Sequence, residues 1–359
     1  MRSNTSKKIT DLPLLVTVLV LSLFGLVMVY DASVVQAFKD HGDKYFYIKQ
    51  QLVWMTLGFL SLIFFSFFNY QHFKKLAVFG LGVTFILTLL VFVPGLGFAA
   101  GGAHRWLRIG GVSIQPAEMI KLATIIYLSY LFEKKMKVAP FLITTLAVTI
   151  VIGLFQRDLG SAIVYFLISL GMFFIAGAPM MYFLSLIPVT LIGLIIFILS
   201  SPYRKKRVLA FLDPFADPEG YSYHISQILI ALGSGGLFGL GLGQSKQKFE
   251  YIPEVTTDSI FAIVGEELGF IGAIILISLL VFLIHRGFKI YANCKDRFGA
   301  LIAFGLTFWL GIQTVVNLAA MVSLIPLTGV PLPFVSYGGS ALLVNLTSIG
   351  ILLNISKNS

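Results

Sequence analysis

Three of the four acidic residues in the stretch YIPEVTTDSIFAIVGEELGF, residues 251–270, stand at or within its apolar part. Asp258 is at the mouth of a long apolar segment, whereas Glu266 and Glu267 lie inside it. Ionisable groups within apolar segments are costly and usually face a bundle interior or a water-filled cavity. At 100° per residue, Glu266 lies about 80° around a helix from Asp258 and roughly 12 Å deeper, while Glu267 points to the opposite side. We therefore expect Asp258 to carry chemistry, and one of the glutamates to be structural and paired with another helix.

Asp258 itself has two interpretations. It belongs to the run TTDS, in which every residue is of a type that caps helix N-termini, so its side chain could simply cap the next helix. Alternatively, a carboxylate at the outer rim of a polar loop is reachable by solvent yet half desolvated. Partial desolvation raises the pKa of a carboxyl group and makes it a usable general base.

A second charged pair, Glu118 and Lys121, occurs near the start of another apolar segment. Residues three positions apart share one face of a helix and can form an ion pair. The pair could lock two helices together, or it could form a polar wall of a water-filled cavity. The sequence leaves both interpretations open.

Further candidates lie in connections between apolar segments. Arg105 belongs to the Gly-rich stretch 94–114, where glycines and a proline predict a loop that dips or folds on itself. Asp158 follows Arg157 in a very short connection, where it could form a simple turn or favour the N-terminus of the next helix. The basic run at 204–207 could meet phosphates.

A Pro- and Gly-rich segment, PLTGVPLPFVSYGGSALL at 326–343, precedes the last apolar run. Such a segment is rarely a straight helix. The backbone N–H groups of SYGGS, which includes Ser336 and Tyr337, could cradle an anion. The glycines could equally serve close helix packing.

The elements that must position these residues are membrane helices. The chain has 359 residues, of which 57% are hydrophobic and 12% charged, and its mean hydropathy is +0.92. A bilayer core of roughly 30 Å needs about 20 apolar residues in a helix, and barrel strands would instead alternate in hydropathy. We expect an all-α polytopic membrane protein with about ten transmembrane helices in a single domain, residues 1–359. The ten apolar runs are 12–30, 51–69, 76–93, 115–132, 139–155, 159–177, 180–200, 259–285, 299–321 and 338–355.

The distribution of Lys and Arg predicts the orientation. With the N-terminus inside, their density is roughly threefold higher in the inner segments than in the outer ones, so both termini are expected in the cytoplasm. The connection 201–258, between the seventh and eighth spans, then forms a large outer loop. Its apolar, Gly-rich middle predicts partly re-entrant segments. All the candidate chemistry falls towards the outer face.

The formal net charge of +10 is spread over helix ends. This pattern indicates contact with membrane phospholipid and argues against nucleic acid as a partner. The single cysteine, Cys294, excludes an internal disulfide.

Five segments of the chain carry recognisable motifs. They are QPAEMIKL at 115–122, DLGSA at 158–162, FLDPFADPEGYSYHISQ at 211–227, residues 234–270 and residues 326–343. In the same order, they resemble the motifs of the SEDS family, the bacterial proteins of shape, elongation, division and sporulation, and the resemblance covers nearly the whole chain. Within the family, GLGQSKQKFEYIPE followed by GEELGF is closer to the division type than to the elongation type. The family often has His two positions before its acid, whereas this chain has Thr256 there.

The resemblance implies a peptidoglycan glycosyltransferase that polymerises lipid II into glycan strands at the outer face of the bacterial cytoplasmic membrane. It implies a class B penicillin-binding protein as partner, within the divisome or the elongasome. Asp258 matches the essential acid of the family, Glu118, Lys121 and Asp158 match polar cavity positions, and Glu250 matches a loop position linked to activation. Arg105 or the basic run would neutralise the leaving group, and a divalent cation, Mg²⁺ or Mn²⁺, could share that role.

Two functions of other classes remain as alternatives. A lipid II flippase would also have many spans, intramembrane charges and broken helices, but it would need polar groups reachable from both faces. A scaffold that only positions the penicillin-binding protein would make Asp258 dispensable.

Overall fold

The computed structural model describes residues 10–100, 103–110, 112–199, 202–217, 219–249 and 252–357. Within these ranges it contains twelve α-helices and three short β-strands. A 3₁₀ turn, Tyr70–His72, precedes α3, and a π-helical turn, Val151–Phe155, continues α5. The helices are α1 Leu12–His41, α2 Phe46–Phe67, α3 Phe73–Leu90, α4 Pro116–Phe132, α5 Val138–Ile150, α6 Leu159–Ile175, α7 Met180–Leu199, α8 Pro202–Leu212, α9 Tyr223–Ser234, α10 Ile260–Asn293, α11 Arg297–Met321 and α12 Gly339–Lys357; the strands are β1 Gly97–Ala100, β2 Ala103–Ile109 and β3 Val112–Ile114.

Each of the ten predicted spans falls on a helix. In the part of the chain that the structure describes, seven helices are long and apolar enough to cross a membrane. The shorter α6 is also apolar. The prediction of a helical, multi-pass membrane protein is confirmed, while the count of ten spans stays a prediction. The seven are α1, α2, α3 with its 3₁₀ turn, α5 with its π-helical turn, α10, α11 and α12.

Helices α11 and α12 form the centre of the bundle and are largely buried. Small residues allow α12 to pack closely against α2. A Cβ at Gly350 of α12 would lie 2.5 Å from the Leu62 carbonyl oxygen of α2, and one at Gly58 of α2 would lie 2.4 Å from Leu346. The central helices can therefore hold the polar segments at their ends in fixed positions.

The stretch 94–114 forms a small antiparallel sheet with the order β1-β2-β3, where the sequence predicted only a folded loop. In β2 the side chains of Ala103 and Leu107 are buried. Arg105 between them lies at an irregularity in the β1–β2 register, and such irregularities redirect side chains. The side chain of Arg105 points to Asp158, whose carboxylate lies 3.8 Å from Arg105 Nη1.

The connection between α7 and α10 contains α8, α9 and a Gly-rich segment, residues 235–249, that packs against a break in α10. The break is at Gly269, which has φ 66° and ψ −166°. Backbone groups of α10 left unpaired by the break bond to this segment: the Glu266 carbonyl accepts from the Leu240 N–H at 3.0 Å, and the Phe270 N–H donates to the Gly236 carbonyl at 2.9 Å. The re-entrant character of this connection stays a prediction.

The two glutamates of α10 hold the same Gly-rich segment. Glu267 accepts hydrogen bonds from the backbone N–H groups of Gly243 and Ser245, both at 3.0 Å, and Glu266 accepts from the Lys246 N–H at 3.0 Å. Both glutamates bind this loop, because the break in α10 brings it over them. Glu267 is in addition linked to Asp31 of α1 through Lys248, which agrees with the expectation that one glutamate is paired with another helix.

Lys248 links this loop to α1. Its ammonium group lies 3.0 Å from the Glu267 carboxylate and 2.8 Å from that of Asp31. The loop, α1 and α10 are therefore joined by one buried charge network.

Candidate functional site

A cavity of about 1980 Å³ lies where several helices begin. Residues at the starts of α2, α4, α6 and α12 line it, and so does the segment that leads into α10. The N-terminus of a helix is the positive end of its dipole and favours anions. Another part of the wall is apolar and includes Val53, Leu57, Ile198, Ile312 and Val315. The cavity therefore combines anion-attracting helix ends with a surface that suits a hydrocarbon chain.

Asp258 lies on the wall of this cavity and is 6% exposed. The N-cap of α10 is the next residue, Ser259, so Asp258 is not the capping residue. Its carboxylate accepts a hydrogen bond from the Thr257 hydroxyl at 3.2 Å. Its backbone carbonyl accepts from the Asn317 amide at 2.8 Å. Asp258 is thus anchored through its backbone, and its side chain faces the cavity.

The surroundings of Asp258 adjust its protonation. Burial raises the pKa of the Asp258 carboxyl from 3.8, and the charges of Arg207 and Arg105 oppose that rise. Asp258 Oδ2 and Arg105 Nη1 both lie 3.9 Å from the position that a Cβ would take at Gly329. A buried carboxylate with a raised pKa, next to arginines, suits a general base.

Arg105 lies between two acids. Its Nη1 is 3.8 Å from Asp158 Oδ2, and its other neighbour across Gly329 is Asp258. Its Nε is buried and has no hydrogen-bond partner among the described residues. A buried N–H without a partner is costly. The Arg105 guanidinium lines the cavity and keeps one donor that the described residues do not pair.

Asp158 caps α6 and connects it to α4. Its Oδ1 accepts from the Ser161 N–H at 3.0 Å, while Oδ2 accepts from the Ser161 hydroxyl at 2.9 Å and from the Gln115 amide at 3.2 Å. Arg157 before it has φ 61°, which is uncommon for a residue other than glycine. The short connection is thus a helix cap that also holds Arg105.

Asp158→Ala should lower the stability of the protein by about 1 kcal/mol, because the α6 cap is lost. Asp158→Asn should stay close to wild type, since Asn is also a good N-cap. Thermal unfolding of the detergent-solubilised chain measures both variants. Equal destabilisation by Ala and Asn would show that the charge, rather than the cap, stabilises α6.

Further arginines surround the cavity. Within the basic run, Arg204 and Arg207 of α8 line it, and the Arg207 guanidinium donates to the Leu327 carbonyl at 3.0 Å. Lys206 instead borders a smaller adjacent cavity of about 420 Å³. The same wall carries three acids, Asp158, Glu254 and Asp258, which the arginines outnumber, so the described lining has a net excess of positive charge. The arginines that line it in the described part of the chain are Arg105, Arg108, Arg157, Arg204 and Arg207.

The SYGGS motif divides between the cavity and its support. Tyr337 lines the cavity, and its hydroxyl donates to Gln50 at 2.7 Å. Gly338 and Gly339 also line it. Ser336 is buried, and its hydroxyl accepts from the Leu332 N–H at 2.8 Å. The prediction that the N–H groups of this motif cradle an anion needs correction at Ser336 and Tyr337, whose N–H groups donate to the carbonyls of Leu332 at 3.1 Å and Thr256 at 2.8 Å. Ser336 does not line the cavity either, because the turn directs its hydroxyl to the Leu332 N–H.

Glu118 and Lys121 lie behind the cavity and do not belong to its described wall. Each side chain is 1% exposed, and Lys121 Nζ is 2.7 Å from Glu118 Oε1. Lys121 also donates to Gln313 at 3.0 Å, and Gln313 donates to the carbonyl of Pro331, which lines the cavity. Of the two interpretations, the structure favours the buried pair, which supports the cavity through Gln313.

Glu250 lies outside the described residues. Two residues that the sequence analysis did not single out contact the Asp258 segment: Asn317 of α11 and His224 of α9, whose Nε2 is 2.9 Å from the Ser259 hydroxyl. A useful signal for Asn317 is its amide within a long apolar run, since polar groups there mark function. His224 lies in the motif FLDPFADPEGYSYHISQ, but sequence alone does not show that α9 packs against the start of α10.

The chain is similar to known proteins along nearly its whole length. The profile of the FtsW, RodA and SpoVE family, described as cell cycle protein, matches residues 12–359. The chain is 40% identical over 353 residues to a probable peptidoglycan glycosyltransferase FtsW of Geobacter sp. (strain M18), covering 96% of each chain. It is also 40% identical over 363 residues to the stage V sporulation protein E of Bacillus subtilis (strain 168), covering 99% of each.

Two solved structures share the fold. The rod shape determining protein RodA of Thermus thermophilus matches with a TM-score of 0.71 and 27% identity, covering 97% of this chain and 96% of that one. A chain in a structure described as "Structural coordination of polymerization and crosslinking by a peptidoglycan synthase complex" matches with a TM-score of 0.79 and 26% identity, covering 97% of both.

Proposed function

The chain belongs to the FtsW, RodA and SpoVE family of cell cycle proteins, and we propose that it is a peptidoglycan glycosyltransferase. It polymerises lipid II into glycan strands at the outer face of the cytoplasmic membrane during septal wall synthesis. The observation that carries the proposal is the Asp258 carboxylate, buried on the wall of a large cavity that is both cationic and apolar. The names of the relatives support the reaction class.

The chemistry of lipid II matches this cavity. Lipid II is an undecaprenyl pyrophosphate that carries a disaccharide pentapeptide, so its polymerase needs a lipid-accessible surface, cations near the pyrophosphate and a base near a sugar hydroxyl. The apolar wall provides the lipid-accessible surface. Cations near the pyrophosphate are provided by Arg105 and Arg207, the two arginines that lower the pKa of Asp258. Asp258 provides the base near the sugar hydroxyl.

In the proposed step, Asp258 accepts the proton of the acceptor GlcNAc 4-hydroxyl. The 4-oxygen attacks the anomeric carbon of the donor chain, a new glycosidic bond forms, and the bond from that carbon to the pyrophosphate oxygen breaks. Undecaprenyl pyrophosphate leaves with the electron pair, and a single displacement inverts the anomeric centre. Arg105 stabilises the departing charge through its unpartnered N–H.

A protein-held divalent cation does not fit the residues that surround Asp258. The described parts of the chain contain no group of three or more His, Cys, Asp or Glu placed to hold a metal ion. Asp158 is already engaged by Ser161 and Gln115, and arginines occupy the neighbourhood. We propose that Mg²⁺ or Mn²⁺ enters the cavity bound to the pyrophosphate of the substrate, since Mg²⁺ is commonly bound through substrate phosphates.

The partner and the subtype are parts of the same proposal. The similarity to a chain of a peptidoglycan synthase complex supports a class B penicillin-binding protein as the crosslinking partner; divisome proteins would join this pair. The division type is supported by 40% identity to FtsW, against 27% to the solved RodA. An elongation role is the weaker alternative because of the lower identity to RodA, while the sporulation relative is as similar as FtsW.

Polymerisation of lipid II by the purified chain tests the proposal. The chain is reconstituted in vesicles with fluorescent lipid II, with and without a class B penicillin-binding protein and Mg²⁺, and glycan strands are separated by length. We expect strands when both proteins are present. A sided quenching assay on the same vesicles measures lipid II transfer across the bilayer.

The outcomes separate the candidate functions. Strand formation with no transfer supports the polymerase. Transfer without strands would make the chain a flippase, and strands that form equally without this chain would reduce it to a scaffold.

A further inference from the structure

His224, near the start of α9, contacts the segment that carries Asp258 at both of its ends. Its Nε2 lies 2.9 Å from the Ser259 hydroxyl, and its ring also lies close enough to the Pro253 backbone for that group to raise the pKa of His224. Proline has no backbone N–H, so the group that the ring meets there is the Pro253 carbonyl. Asp258 lies between these two contact points.

The two contacts define the state of the ring. A neutral imidazole has one N–H, so when one nitrogen donates to Pro253, the Nε2 nitrogen accepts from the Ser259 hydroxyl. Burial lowers the pKa of His224 to about 4, and the nearby charge of Arg207 lowers it further. The ring is therefore neutral at physiological pH, as acceptance from Ser259 requires.

Other contacts fix the middle of the same segment. The Tyr337 N–H donates to the Thr256 carbonyl at 2.8 Å, and the Asn317 amide donates to the Asp258 carbonyl at 2.8 Å. These bonds come from the α11–α12 side, whereas His224 comes from α9. A carboxylate held from both sides keeps one position relative to the Arg105 guanidinium.

We propose that His224 is a positioning residue, which fixes the segment from Pro253 to Ser259 and thereby aims the Asp258 carboxylate at the acceptor hydroxyl. The catalytic part of this inference rests on the proposed glycosyltransferase function. The structural part, that His224 orders this segment, does not.

Three substitutions of His224 separate its contact with Pro253 from its contact with Ser259. His224→Asn retains a short side-chain donor suited to Pro253, His224→Gln retains a longer acceptor suited to Ser259, and His224→Leu loses both. Ser259→Ala removes the donor to Nε2. The matched control is His285→Leu, at an exposed position of α10 away from the cavity.

Hydrogen exchange of the full-length chain tests the structural part. We expect faster amide exchange across residues 254–259 in His224→Leu than in wild type or His285→Leu, with intermediate rates in the Asn and Gln variants. Unchanged exchange in His224→Leu would overturn the inference, whether or not the chain polymerises lipid II. Should the Leu variant fail to fold, the Asn and Gln variants decide by the same measure.

Polymerisation kinetics with the class B partner test the catalytic part. A displacement of about 1 Å can cost roughly 100-fold in rate, so we expect kcat of His224→Leu to fall by about 10- to 100-fold while the KM for lipid II stays near wild type. His224 and Ser259 share one hydrogen bond. The kcat of the double variant His224→Leu/Ser259→Ala should therefore fall by a smaller factor than the product of the factors measured for the two single variants. A raised KM with unchanged kcat would overturn the inference, because His224 would then bind substrate directly.

A wild-type chain that makes no strands refutes the proposed function instead, and hydrogen exchange still decides the structural part.

Discussion

The Asp258→Asn variant is expected to lose glycan-strand synthesis while it keeps its fold. Asn has nearly the same shape but cannot accept the acceptor's proton, and general-base catalysis contributes typically 10²- to 10⁴-fold. The backbone bond from Asn317 to the Asp258 carbonyl is unaffected by the change. The N-cap is Ser259, so stability should remain close to wild type. Strand synthesis with the class B partner measures the loss, and thermal unfolding measures the fold.

Glu219→Gln is the matched control, since Glu219 is an exposed acid of the same α7–α10 connection. It should polymerise at the wild-type rate. Full activity of Asp258→Asn alongside this control would contradict the role of Asp258 as base.

The pH dependence of the wild-type rate follows from the same group. Burial raises the pKa of Asp258 above 3.8, and a base works only when deprotonated. The rate should therefore fall as the pH drops through this raised pKa, at a higher pH than an ordinary aspartate would give. An acidic limb at or below 3.8 would argue against Asp258 as the titrating base.

The Lys121→Met variant is expected to be the most destabilised of the substitutions considered. It leaves the Glu118 carboxylate buried without its cation, and breaking a buried ion pair from one side costs about 3–5 kcal/mol. It also removes the hydrogen bond to Gln313, which holds the Pro331 carbonyl at the cavity wall. Thermal unfolding in detergent should show a large decrease in Tm.

A double variant provides the control for this prediction. Glu118→Leu with Lys121→Met removes both charges, and replacing a buried pair by apolar residues is often neutral or stabilising. We expect the double variant to recover most of the lost Tm. If it is as unstable as Lys121→Met alone, the ion pair is not the source of the destabilisation, and loss of the Gln313 contact becomes the cause.

Local properties of the chain were enough to predict the membrane helices. A run of apolar residues must leave water wherever it stands in the fold, so each predicted span coincides with a helix. The boundaries were less accurate. The π-helical turn at Val151–Phe155 and the break at Gly269 depend on neighbouring segments, and no apolar count shows them.

The candidate site was predicted only in part, because ion pairs and hydrogen bonds depend on distance in space. Asp258, Arg105, Asp158 and Tyr337 do meet at one cavity. Glu118 and Lys121 satisfy each other behind it, and Ser336 bonds within its own loop.

By itself the sequence determined that this chain is a helical membrane protein of a known family, and that Asp258 stands where an apolar helix begins. Composition, length and motif order carry that information, and none of them depends on which segments touch. Only the tertiary structure decided that Ser259 takes the cap, that Arg105 faces Asp258 across Gly329, and that His224 contacts both ends of the Asp258 segment. These contacts join residues from β2, α9 and α10, which packing alone brings together. The puzzle of three acids in one stretch thereby resolves into one carboxylate that faces the cavity and two that hold a loop.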